Sequence, residues 1–342
     1  MKLYGWPQVF AVIYAPLISI GIFGNILSFY IFRKMKKSAI SLLLSALSLC
    51  DLLLLFFALP LSCLCMLPIG NMRTLHSIQS LMLIYSTKYL YPPLVAAKTA
   101  SLYILGAITI ERWFAVFKPL QVKARCTYRN SVRTVIIITV FSLIFNFPRF
   151  FEYRIVKNEY GFLDLDHGVL NAKNDQRYFI SYHLVLSTLV DYLIPFIAMT
   201  VANGQIILEL KRIKEQRQLL TISQEKDQNT TKMLLHVTVF FGLCHFFGVA
   251  VKVAECIFDR QATEKEPFEN FVEISNMCII LHSSATFFIY VMYSSKFNEY
   301  LRSVFNKSAD NSVKSDDPQP TPIAKDSNQS TGPIIIEMTA LI

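Results

Sequence analysis

Seven stretches of this chain are each apolar enough and long enough to cross a lipid bilayer, and that leaves few folds open. They cover roughly 9–32, 39–66, 83–117, 131–150, 178–209, 231–257 and 270–293. A hydrocarbon layer of about 30 Å takes about 20 residues at 1.5 Å rise each, so the fourth run only just suffices. Inside lipid every backbone polar group must be satisfied within the protein, and runs of this length do that as helices. The expected fold is an all-α membrane protein, a bundle of seven transmembrane helices. Composition agrees: 53% of the residues are hydrophobic and only 17% charged, a balance that a soluble domain of 342 residues does not readily tolerate. The third run carries Lys88, Tyr91-Pro92-Pro93 and Lys98 in its first half. Its upper part is therefore expected to be kinked and to face a wet cavity.

Charge in the connecting loops sets the orientation. Arg33, Lys34, Lys36 and Lys37 lie between runs one and two, and Lys118, Lys123, Arg125, Arg129 and Arg133 follow run three, with no acid among them. The loop after run five adds Lys211, Arg212, Lys214, Arg217, Lys226 and Lys232 against Glu215, Glu225 and Asp227. The loop after run six is instead acidic, with Asp259, Glu264, Glu266 and Glu269 against Arg260 and Lys265. Basic loops stay in the cytoplasm, so the expectation is a multi-pass plasma-membrane protein with residues 1–8 as an extracellular stub and the carboxyl end inside. The net charge of +9 is then mainly a cytoplasmic-face charge, suited to anionic membrane lipid and an acidic partner rather than to nucleic acid. The seven-helix domain is expected over 9–293. Residues 294–305 space Phe297, Tyr300, Leu301, Val304 and Phe305 as one apolar stripe of an interfacial helix, and 306–342 read as a disordered tail rich in Ser, Thr, Asn, Asp and Pro.

At the foot of run three stands Ile108-Thr109-Ile110-Glu111-Arg112-Trp113, followed by Pro119-Leu120 in the basic loop. An ionised pair at that depth is costly and marks function more often than packing. The pair resembles the Glu/Asp-Arg-Tyr element of rhodopsin-like G-protein-coupled receptors, with Trp113 in place of tyrosine. Gly24-Asn25 in run one and Leu47-Ser48-Leu49-Cys50-Asp51 in run two are similar to the family's Gly-Asn and Leu-Ser-x-x-Asp. The resemblance implies that Glu111 and Arg112 form a cytoplasmic switch with Asp227 and Tyr290. It also implies that Leu120 docks a heterotrimeric G protein and that phosphorylated tail residues recruit arrestin. Three turns before Arg112, Ser101 comes beside Asp51, with His282 and Ser283 at similar depth in run seven. Asp51, Ser101 and Ser283 are thus candidate sodium ligands, and a plain polar network is the competing reading.

The departures point within the family. Asn203 replaces the helix-five tyrosine, His245 and Phe247 replace tryptophan and proline in run six, and Phe287 replaces the proline of run seven. Tyr89-x-Tyr91-Pro92, then Asn146-Phe147-Pro148-Arg149-Phe150-Phe151-Glu152, Cys244-His245, and His282-Ser283-Ser284-Ala285-Thr286-Phe287-Phe288-Ile289-Tyr290 resemble the invertebrate FMRFamide-type neuropeptide receptors and the serpentine chemoreceptors near them. The disulfide that ordinarily ties helix three to the second outer loop in this family cannot form, because no cysteine lies between Cys65 and Cys126 or between Cys126 and Cys244. A loop of about 28 residues without that staple should be more mobile.

The expected ligand is a short amidated neuropeptide met by Tyr91, Lys98, Phe150, Glu152 and Glu255, with Glu255 as the candidate acid for a cationic side chain and an internal ion pair of Glu255 with Lys252 or Lys98 as the competing reading. The alternatives are an environmental small molecule sensed by a chemoreceptor, or a transporter or ligand-gated channel. The absence of a visible internal repeat, and acids in the membrane centre limited to Asp51 and Asp191, disfavour the last. No phosphate loop, His-Glu-x-x-His or paired Cys-x-x-Cys occurs, so no enzyme and no cofactor other than a sodium ion is expected.

Overall fold

The computed structural model describes residues 6–64, 73–157, 159, 163–168, 170, 178–216, 222–257, 266–294 and 296–304. Contacts divide the chain into two units, Met1–Leu301 and Arg302–Ile342. The first holds seven helices long and apolar enough to cross a membrane, spanning Val12–Lys34, Ala39–Ser62, Gln79–Phe117, Tyr128–Phe151, Leu189–Ile213, Leu235–Ala254 and Pro267–Tyr293. The expected seven-helix bundle is thus the observed one. Its helices are α1 (Trp6–Lys34), α2 (Ala39–Ala58), α3 (Arg73–Tyr85), α4 (Tyr91–Phe117), the short α5 (Pro119–Arg125), α6 (Tyr128–Asn146), α7 (Ile194–Gln216), α8 (Ile222–Ile257) and α9 (Glu266–Tyr293). Residues 296–304 add α10.

At three places a π turn interrupts these helices next to proline, although Pro16 stands inside α1 without one. A π turn at Leu59–Leu64 contains Pro60, another at Ser86–Leu90 joins α3 to α4 just before Pro92-Pro93, and a third at Leu189–Leu193 precedes Pro195. At the last two junctions the Tyr91 and Ile194 amides bond the carbonyls five residues back. Proline brings no N–H and crowds the preceding turn, so the helix loosens there. The Ser86–Leu90 turn falls in the part of run three where a kink is expected. By contrast α8 and α9 run unbroken as α-helix for 36 and 28 residues, consistent with Phe247 and Phe287 standing where the family has proline.

Two departures from the expected spans have simple causes. The third helix extends back to Arg73, because its polar first turns stand beyond the apolar stretch that hydropathy detects. The fifth spans from Leu189, preceded by the π-helical Phe179–Leu186.

Close packing begins at the glycines of α1. A Cβ on Gly21 would lie 2.3 Å from Ser284 Oγ, and one on Gly24 2.8 Å from Phe287 Cβ, so α1 and α9 approach closely only with glycine there. Asn25 Nδ2 then donates to the Ser283 carbonyl at 2.8 Å. Toward the basic loops a core of Ile31, Phe32, Leu43, Leu47, Leu105, Ile108, Val237, Phe241 and Tyr290 is sealed by Phe297 of α10, fully buried against Phe32 and Tyr290.

The loop after α6 is more regular than its sequence suggests. Strands β1 (Tyr153–Lys157) and β2 (Leu163–His167) pair antiparallel, Tyr153 opposite His167, with Arg154 and Asp166 ion-paired at 2.6 Å. Gly168 closes the hairpin base by donating to Glu152 O at 2.8 Å. A Cβ there would fall 2.1 Å from Phe151 O, so the approach requires glycine. The four cysteines whose side chains are described, Cys50, Cys126, Cys244 and Cys278, are free.

Candidate functional site

At the hairpin end of the bundle a cavity of about 400 Å³ opens between α2, α4, α8, α9 and the segment leading into α7. Its walls join an apolar part, from Leu54, Ala58, Val95, Val251 and Ile280, to a charged one, from Lys98, Arg149, Asp191, Lys252 and Glu273. That composition, with polar groups converging on an apolar space, is the usual character of a ligand site. Among the residues expected to meet a ligand, Tyr91 and Lys98 line it. Glu273 of α9 also lines it, and sequence reasoning misses that residue. Its carboxylate accepts from Tyr14 Oη of α1 at 2.8 Å and from Asn276.

Part of the lining, Arg149 and Asp191, belongs to a buried polar network. Arg149, in the 3-10 turn Phe147–Phe151, faces Asp191 and Glu152 at 3.9 Å each and donates to Asn146 Oδ1 at 3.0 Å. Thr99 Oγ1 donates to Asp191 at 2.9 Å and accepts from Asn146 Nδ2 at 3.1 Å. Tyr178 Oη donates to Glu152 at 2.8 Å. Burial pushes the Glu152 carboxyl upward from its ordinary range, against the opposing pull of Arg149 and Tyr178. Glu152 is therefore taken up by protein partners rather than lining the cavity. Phe150 does not line it either, and its carbonyl accepts from the Lys88 ammonium. The three-residue spacing of Asn146 and Arg149 on one turn, and an acid inside run five, are the signals that could have found this network. Glu255 and Asp227 fall within α8, but their side chains lie outside the described residues.

Midway down, Asp51 is fully buried and its Oδ1 accepts from Ser101 at 2.6 Å and Ser283 at 3.3 Å. Asp51 Oδ2, His282 Nε2, Ser284 Oγ and Tyr290 Oη are buried without a hydrogen-bond partner. Buried oxygens left so are costly, and this oxygen-rich group fits either ordered water or one small hard cation. Asp51, Ser101 and Ser283 would hold such an ion, which would offset the carboxylate charge. Among the described residues no group of three His, Cys, Asp or Glu side chains could hold a metal ion.

At the basic-loop end Glu111 and Arg112 pair at 3.6 Å, both side chains mostly buried. Trp113 Nε1 donates to Gln205 of α7 at 2.6 Å, and its ring stacks on Phe117 at 5.1 Å, so tryptophan here links α4 to α7. Leu120, near the start of α5, is 92% exposed. Tyr290 is buried under Phe32 and Phe297. The structure thus keeps Glu111 with Arg112, leaves Leu120 in the open, and sets Tyr290 within the core.

Comparison with known proteins agrees with this layout. Residues 24–290 match the 7 transmembrane receptor (rhodopsin family) model. The FMRFamide peptide receptor frpr-18 of Caenorhabditis elegans is 35% identical over 301 residues, covering 86% of this chain and 68% of that protein. The FMRFamide receptor of Drosophila melanogaster is 30% identical over 297 residues, covering 84% of this chain but only 52% of its own length. Galanin receptor 2a of Danio rerio is 21% identical over 240 residues, or 69% of this chain and 61% of the relative. Seven spanning helices, a cavity at one end, an acid–arginine pair at the other and a family match across most of its length lead to one conclusion: the chain belongs to the rhodopsin family of seven-transmembrane, G-protein-coupled receptors.

Proposed function

We propose that this receptor sits in the plasma membrane with its hairpin end outside and transduces a short amidated neuropeptide to a heterotrimeric G protein. The observation that carries the peptide reading is the cavity, where the Glu273 carboxylate shares an apolar space with Tyr91 and the Lys98 ammonium. A small peptide carries cationic, aromatic and carbonyl groups that such walls recognise together, whereas a neutral volatile would leave the charges unanswered. Two relatives named as FMRFamide receptors support the same ligand class. On the inner side, Arg112 is held by Glu111 until activation frees it, and Leu120 offers an apolar side chain to the G-protein α subunit. The hydroxyl-rich tail is suited to phosphorylation and arrestin binding. The basic inner loops suit anionic lipid. Asp51 with Ser101 and Ser283 supports a sodium ion or ordered water in the core.

The test is a screen of amidated peptides on cells expressing the receptor, read as G-protein nucleotide exchange. The expected result is saturable exchange with peptides ending in an amidated aromatic residue. Activation by small volatiles alone would favour the chemoreceptor reading. A ligand-gated current without nucleotide exchange would favour a channel.

A further inference from the structure

Of the charged residues that line the cavity, Arg149 and Asp191 are paired with each other, whereas Lys98 and Glu273 are not paired together. Lys98 reaches in from α4, and its ammonium donates to Tyr192 Oη at 2.8 Å while lying 4.5 Å from that ring's centre. An ammonium has three donors. Among the described residues Tyr192 is the one hydrogen-bond acceptor that Lys98 uses. The neighbouring acid, Asp191, is taken up by Thr99 and Arg149. Glu273, on a separate wall, is held by two neutral donors, Tyr14 and Asn276. Among the described residues neither charge makes an ion pair of its own, and Lys98 has only the field of Asp191, which Arg149 shares, so a ligand that supplies a partner would offset the cost of drawing each charge out of water.

We propose that Lys98 and Glu273 are two poles of one ligand subsite: Lys98 takes an acceptor oxygen at the peptide's carboxamide end, and Glu273 takes a cationic side chain. The inference rests on the peptide reading above and names what that peptide must carry. The apolar walls between the poles, Leu54, Val95 and Ile280, cover the segment that joins them. The occupant is thus a dipolar ligand of fixed polarity, with its carbonyl end toward α4 and its cation toward α9. Lys98 sits one residue before Thr99, which bonds Asp191, so a pull on its ammonium acts directly on the contact between α4 and the fifth helix.

The test uses the full-length receptor in membranes with three probes: Phe-Met-Arg-Phe-amide, its citrulline-for-arginine analogue, and an analogue ending in phenethylamide, which lacks the terminal carboxamide. Potency is read from nucleotide exchange on the G protein. Losing one partner of a desolvated charged contact costs at least about tenfold, so the wild type should lose that much with each analogue. Glu273→Gln should erase the penalty for citrulline to within about threefold while keeping the penalty for phenethylamide. Lys98→Met should do the reverse. Lys98→Arg and Glu273→Asp keep the charges and should keep both penalties, which separates recognition from a failure to fold. Simple additivity of ligand and receptor changes would overturn the two-pole subsite while leaving the peptide reading in place. A wild type silent to all three probes and to a wider amidated library would overturn both.

Discussion

Lys88 and Tyr153 tie the β1–β2 hairpin to the third membrane-spanning helix: the Lys88 ammonium donates to the Tyr153 carbonyl and to that of Phe150 on the same bend. The π turn Ser86–Leu90 carries the lysine, and the carbonyls lie where α6 gives way to β1. This is the junction that a disulfide makes elsewhere in the family and that this sequence has no cysteines to make. A charged donor on two carbonyls is a strong non-covalent substitute, worth about 1.5–3 kcal/mol per bond.

Lys88→Met should therefore release the hairpin. The Gly168 and Leu170 amides, which bond Glu152 O and Phe151 O, report on its base. Their hydrogen-exchange protection should fall by at least about tenfold, since 1.4 kcal/mol is a factor of ten. Lys88→Arg should retain most of it. Unchanged protection in Lys88→Met would show that the hairpin stands without the lysine.

Arg149 holds the next layer down. Removing it leaves Asp191 and Glu152 buried without their shared cation, and breaking such a network from one side costs about 3–5 kcal/mol. Arg149→Met is expected to lower the melting temperature of detergent-solubilised receptor and its amount at the cell surface. Arg149→Met combined with Asp191→Asn should recover part of the loss, because the stranded charge is gone. A melting temperature equal to wild type in the single variant would mean that the network contributes nothing to stability.

These networks also mark how far the sequence could be read. Hydropathy alone finds all seven spans, because lipid forces each to satisfy its own backbone. Counting turns back from Arg112 brings Ser101 to Asp51, and the two are hydrogen-bonded at 2.6 Å. Both inferences use periodicity within one helix or between aligned ones. Glu273 with Tyr14 is different, since it joins the first and last spans, 259 residues apart. Its existence depends on how α1 and α9 are rotated about their axes, which their nearly uniform apolarity does not encode. Glu152 looks like a ligand acid from its loop position and is instead consumed by Arg149 and Tyr178. The hairpin was hidden for another reason. β2 alternates as Leu163-Asp164-Leu165-Asp166, but β1 does not, and the Lys88 and Gly168 contacts at the hairpin base join residues that no local pattern pairs.

At the basic-loop end, Glu111 and Arg112 at 3.6 Å form a partly buried pair, the restraint proposed above. Glu111→Gln keeps the shape and removes the charge, so basal nucleotide exchange should rise about threefold or more at equal surface expression, with agonist potency increased in step. Basal exchange equal to wild type would count against the pair as a restraint.

Leu120 gives the cleanest separation of folding from coupling. At 92% exposure it contributes nothing to the receptor's own core, so Leu120→Ala should leave the melting temperature within error. Leu120 stands on α5, directly after α4, and the proposed role is that it enters an apolar pocket of the G protein. Fully burying a leucine is worth about 1.5–3 kcal/mol, and alanine retains only part of that, so coupling should weaken about tenfold. Peptide affinity measured without G protein should barely change, because the cavity lies at the far end of the bundle. Leu120→Met, similar in volume, should restore most of the coupling. If Leu120→Ala couples as wild type does, α5 is not a docking helix and the exposed leucine has some other role.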